Sequence, residues 1–75
     1  MDDLIKEEGR LKGSFNGFYN LDTIFEFESG NKWQQAEIKN YPSYEYAPFA
    51  QIISKDGRYY IKVININEMV EVKKL

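Results

Sequence analysis

Glu26 and Glu28 stand two residues apart, a separation that puts two carboxylates on one face of a β-strand about 7 Å from each other. Carboxylates so placed could divide acid and base work or hold a hard metal ion through oxygen. A solvated strand face carries the same spacing, with Lys32 or Gln34 across a hairpin as partners, and this simpler reading is preferred. Nucleophilic catalysis fails on composition: Ser14, Ser29, Ser43 and Ser54 have no base to activate them, because the chain contains neither His nor Cys. That absence also removes the commonest metal ligand, cysteine zinc sites and disulfides. The expectation is a non-enzyme with no catalytic residue, cofactor or metal.

Recognition chemistry is better represented. Trp33 is the single indole and follows a turn, where it could stack on a sugar, a base or a proline. Large aromatic side chains contribute most to a core this small, so a plug at one end of the fold is the favoured role. Tyr41, Tyr44 and Tyr46 lie with Pro42 and Pro48 in the segment KNYPSYEYAP. Tyrosine supplies contact area at low entropic cost, with a hydroxyl for orientation. These rings either meet a partner or lie over the wall of the fold while the prolines stiffen the chain. A third group, Lys55, Arg58, Tyr60 and Lys62, joins Tyr59, Lys73 and Lys74 to suggest a basic, aromatic face for single-stranded nucleic acid. Asp56, Glu68 and Glu71 offset it, and lysines that discourage edge pairing explain the charges with fewer assumptions. Ten basic residues against twelve acidic ones give a net charge of −2, so nucleic acid is not the default partner.

These groups must be positioned by a small scaffold. A chain of 75 residues, 43% hydrophobic and 16% aromatic, makes one domain. It buries only about 60% of the surface its unfolded form exposes. Asp2 to Glu8 has the acids and the following Gly9 of a two-turn helix, capped at Asp2 or Asp3, so residues 1–9 read as a helical or frayed extension. Residues 10–75 read as the fold proper. β-Branched and aromatic runs separated by turn residues predict strands over Arg10 to Phe18, Thr23 to Glu28, Lys32 to about Ile38, Phe49 to Lys55, a run from Arg58, and Met69 to Lys74. Gly13 and Gly17 mark bends in the first, and Phe25 and Phe27 point inward from the second. Ser29-Gly30-Asn31 and Asp56-Gly57 are tight hairpin turns. Lys39 to Pro48 reads as the long loop.

An open sheet this short would expose two edges and one thin apolar face, which favours closing it into a barrel. The expected fold is therefore all-β: a small SH3-like barrel of five to six antiparallel strands with a short N-terminal helix. The residues Gly13-x-Phe15-x-Gly17, Phe25-Glu26-Phe27, Gly30, Trp33-x-Gln35 and Val70-Glu71-Val72-Lys73 resemble the pattern of an uncharacterised family of small bacterial SH3-like β-barrel domains. Phe27 stands where that pattern has Leu, and the tyrosine-rich segment lies outside it. The resemblance implies the barrel and brings no activity with it.

No apolar run approaches the ~20 residues of a membrane span, and the acidic N-terminus lacks a secretory pattern, so the expected compartment is the cytoplasm. The functional expectation is an interaction module that binds a protein or peptide, or pairs with a second copy of itself, through the Tyr/Pro segment and Trp33.

Overall fold

In the computed structural model, which describes residues 4–75, the fold is built outward from the Asp56-Gly57 turn. Asp56 and Gly57 both take left-handed backbone angles (φ 53° and 82°), as a two-residue type I′ hairpin requires. They join Phe49–Lys55 to Arg58–Val63, paired in register from Lys55↔Arg58 to Ala50↔Val63. Alternation along both strands sends Ala50, Ile52, Ile61 and Val63 inward, each fully buried.

Eight strands form among the described residues: β1 (Leu4–Arg10), β2 (Ser14–Phe18), β3 (Ile24–Glu26), β4 (Lys32–Gln35), β5 (Tyr41–Tyr46), β6 (Phe49–Lys55), β7 (Arg58–Val63) and β8 (Met69–Lys74). Six of them make an antiparallel sheet in the order β1-β6-β7-β8-β4-β3, and β2 pairs with β5 in a separate ribbon. The ribbon sends Phe15 and Phe18 into the core shared with Phe25, Phe27, Trp33, Val70 and Val72. Phe15 meets Phe18 edge to face at 5.6 Å, and Phe18 meets Phe25 likewise at 5.9 Å, the geometry that ring quadrupoles favour. No helix among the described residues is long and apolar enough to cross a membrane.

The all-β expectation holds, as do the bounds of β6 and β8, the start of β7, both hairpin turns and the inward facing of Phe25 and Phe27. Several details differ. The N-terminal helix is absent: Leu4 to Arg10 is a strand laid against β6, with a register shift between Ile5 and Glu7. The proposed caps Asp2 and Asp3 lie outside the described residues. A helix of two turns is marginal alone, whereas a seven-residue strand pairs one side of its backbone and covers the otherwise exposed edge of β6.

Lys39 to Pro48 is not a loop throughout, since Tyr41–Tyr46 pairs with β2. Pro42 is tolerated because the ribbon is only two strands wide and Pro42 lies opposite Gly17. Gly17 has φ 104°, and a Cβ there would stand 2.7 Å from the Ser43 nitrogen and collide with the Tyr41 carbonyl. Only glycine lets β5 approach so closely.

The single strand predicted over Arg10 to Phe18 is two, broken at residues 11–13, β3 is confined to Ile24–Glu26 rather than Thr23 to Glu28, and β4 stops at Gln35 rather than near Ile38. Eight strands thus stand among the described residues where five to six were expected. Lastly, the sheet does not close into a barrel. Its edges, β1 and β3, converge only past their ends, where Leu11 and Phe27 form one isolated bridge, Lys12 N–H donates to Glu26 C=O (2.8 Å) and Glu28 N–H donates to Arg10 C=O (2.9 Å). The β2–β5 ribbon supplies core side chains that further strands of a closed barrel would otherwise provide.

Candidate interaction surfaces

The sequence-predicted residues fall in three separate places. Trp33, on β4, is buried, with 3% of its surface exposed. Its indole meets Tyr59 edge to face at 5.3 Å, the Lys74 ammonium lies 5.2 Å from its ring centre, and Nε1–H donates to Glu7 Oε1 at 2.9 Å. Every face of the indole is engaged within the domain, which fits a plug and leaves no open stacking platform.

Tyr41, Tyr44 and Tyr46 share β5 but divide by strand alternation. Tyr41 turns inward and packs on Phe18 at 6.3 Å. Tyr44 and Tyr46 turn outward with Pro42, and at 66% and 72% exposure they are the most exposed aromatic residues among those described. β5 pairs on one side only. Because Ala47 N–H donates to Gly13 C=O (2.8 Å), antiparallel alternation turns the next residue pair, Ser14 and Tyr46, the other way, and the Tyr46 backbone groups face the free edge. The ribbon thus combines an open strand edge with a stripe of proline and two tyrosines.

Lys55, Arg58, Tyr60 and Lys62 occupy the outer face of β6 and β7. Arg58 pairs with Lys55, Tyr60 with Ile53 and Lys62 with Gln51. Arg58 also approaches Glu71 of β8 at 3.8 Å. The structure therefore brings the four predicted residues together on one surface, on the opposite side of the sheet from the core. Glu26, for its part, is half-buried and lies 3.8 Å from Lys12 in a surface ion pair, and Glu28 is exposed. Among the described residues no group of three or more His, Cys, Asp or Glu is arranged to hold a metal ion.

Sequence reasoning missed two residues that hold these surfaces in place. Glu7, assigned to a helix, reaches from β1 across the gap between the sheet edges to the β3–β4 hairpin. Its Oε2 accepts from Asn31 Nδ2 (2.8 Å) and Ser29 Oγ (3.1 Å), and its Oε1 accepts from Trp33 Nε1. Burial pushes its carboxyl upward, but the bonds from Asn31, Trp33 and Ser29 and the nearby charge of Lys74 outweigh that and hold it below the ordinary value. With Lys6, Asn31, Trp33, Tyr59 and Lys74 it lines a cleft of about 330 Å³.

Gln35, 1% exposed, is the second. Its Oε1 accepts from Tyr19 N–H (3.1 Å) and its Nε2 donates to Glu37 C=O (2.7 Å), tying the approach to β3 and the segment leading into β5 to one buried amide. The Glu7 partners and the Tyr19 partner of Gln35 are far away in sequence, so neither link leaves a local signal.

No protein-family model, curated protein or solved structure matches this chain.

Proposed function

We propose that the domain is a non-catalytic interaction module whose working surface is the β2–β5 ribbon. A partner segment in extended conformation adds along the free edge of β5, takes main-chain hydrogen bonds from it, and rests side chains against Pro42, Tyr44 and Tyr46. The observation that carries this reading is the outward exposure of Tyr44 and Tyr46 on a strand paired on one side only, in a domain that buries or half-buries eight of its ten other aromatics. Tyrosine and proline suit such a role because they offer area and little conformational freedom to lose. A second copy of the chain can supply the added strand as well as a foreign protein can, since an antiparallel β5–β5 pair is self-complementary about a twofold axis.

The test compares the natural chain with a Tyr44→Ser, Tyr46→Ser double variant, both positions being exposed enough for the fold to survive. Panning a random-peptide phage library enriches binders on the natural chain and not on the variant, or light scattering gives a two-chain mass that falls to one chain in the variant. Equal enrichment on both proteins, or a monomer that selects no peptide, ends the proposal.

A further inference from the structure

The outer face of β6, β7 and β8 carries an order that strand pairing alone reveals. Four successive rows run along the central hairpin: Phe49 beside Ile64, Gln51 beside Lys62, Ile53 beside Tyr60, and Lys55 beside Arg58. Each row is two residues from the next, about 6.7 Å by strand geometry. The rows therefore alternate aromatic, cationic, aromatic, cationic. One step along the β7–β8 ladder from Tyr59↔Val72 sets Lys73 opposite Arg58, widening the last cationic row to three charges.

Charge is unevenly divided between this face and the rest of the molecule. Lys55, Arg58, Lys62 and Lys73 are four of the ten basic residues, and all are exposed. Among the described residues the acids beside them are Glu71, Asp56 in the turn between Lys55 and Arg58 and, at the β1 margin, Glu8, so four cations stand against three carboxylates here. A net charge of −2 for the chain thus conceals a locally positive sheet face. Phe49, 38% exposed, borders a groove of about 250 Å³ with Gln51, Lys62 and Ile64, and the Tyr60 ring is half-buried among Ile53 and Glu71.

We infer that this sheet face binds single-stranded nucleic acid, with bases resting on Tyr60 and Phe49 and the intervening phosphates held by Lys62 and by the Arg58, Lys55 and Lys73 row. The chemistry follows from the alternation. A single strand presents flat rings and negative charges in turn, stacking on aromatic side chains is tolerant of sequence, and cations between the rings neutralise the backbone. A duplex keeps its base faces covered and cannot use the two rings. An acidic protein could use the cations but has no need of Phe49 and Tyr60 at that interval. This surface is distinct from the β2–β5 ribbon, and neither proposal depends on the other.

The experiment is fluorescence anisotropy with fluorescein-labelled oligo-deoxythymidine and oligo-uridine of about 12 nucleotides, a length within the usual site size of small single-strand binders. At about 50 mM salt the anisotropy rises with the natural chain, and with about three phosphates neutralised log Kobs falls against log salt with a slope near −2. Lys62→Glu weakens binding about tenfold or more and flattens that slope, while Tyr60→Leu weakens it about five- to tenfold and leaves the slope unchanged. Both positions are outside the core, and Trp33 fluorescence verifies that each variant is folded. A polyglutamate peptide of matching charge serves as the competitor. The inference is overturned by no anisotropy change at low salt, by variants that bind as the natural chain does, or by polyglutamate binding as tightly as the oligonucleotides, which would mark an acidic-protein surface instead.

Discussion

Replacing Glu7 by Gln tests whether the gap between the two sheet edges is held by a charge. In the native seam one carboxylate oxygen takes the Trp33 indole N–H and the other takes Asn31 and Ser29. An amide offers one oxygen in place of two, so one set of donors loses its acceptor. Asn31 and Ser29 are exposed and can turn to water, whereas Trp33 is buried, so the remaining oxygen is expected to stay with the indole. The loss is then about 1–2 kcal/mol, rising to about 2–3 kcal/mol for Glu7→Ala, which leaves the indole N–H without its acceptor. A domain of this size has roughly 3–5 kcal/mol in total, so either change moves a urea midpoint visibly.

The pH dependence gives the sharper discrimination. Burial raises the Glu7 carboxyl, but three hydrogen bonds and Lys74 bring the folded value below the ordinary 4.5. The native state therefore binds fewer protons than the unfolded chain, and the contribution of Glu7 is complete above that value and fades as pH drops through the folded one. Urea denaturation followed by the fluorescence of Trp33, the sole indole, reads the natural chain against Glu7→Gln at about pH 7, 5 and 3.5. The gap between them should stay constant over the upper two and narrow at the lowest. A gap under about 0.3 kcal/mol at neutral pH, or one indifferent to acid, would refute the charge-held seam.

Gly17→Ala forces a side chain against the Ser43 nitrogen at a positive φ and should cost more than about 2 kcal/mol, with amide exchange in β5 rising before exchange in β6 and β7; unchanged β5 protection would contradict the close approach. Gln35→Leu strands the Tyr19 N–H and the Glu37 carbonyl and is expected to lower stability by about 1–3 kcal/mol in a chemical melt, where a neutral result would show both groups finding water. Gly57→Ala strains the type I′ turn at φ 82° and should cost about 1 kcal/mol, mainly through a changed folding rate if the β6–β7 hairpin forms early, which stopped-flow refolding would measure.

Legibility in the sequence tracks the range of the interaction. Asp56-Gly57 and Ser29-Gly30-Asn31 announce their hairpins because the required backbone angles belong to those residue types, and alternation places Phe25, Phe27, Ile61 and Val63 inward without reference to any neighbour. The exposed stripe of Tyr44 and Tyr46 was visible as residue types but not as a strand, since Pro42 argued against one and only the partner strand β2, with Gly17 opposite, makes it tolerable. The cationic and aromatic residues of β6 and β7 could be grouped from local spacing, yet their alternation in rows depends on a register of one residue in two, which the pairing of strands determines.

Local chemistry, then, decided that this chain is all-β, where its tight turns fall and which side of its best strands faces inward. Tertiary contact decided that the N-terminal segment is a strand, that the sheet stays open with its edges joined at one bridge, and that Glu7 and Gln35 tie distant segments together. The physical reason is that turn geometry and side-chain alternation are properties of a few consecutive residues. The strand state of a marginal segment depends instead on an unpaired edge elsewhere in the molecule, and no local pattern reports whether that edge exists.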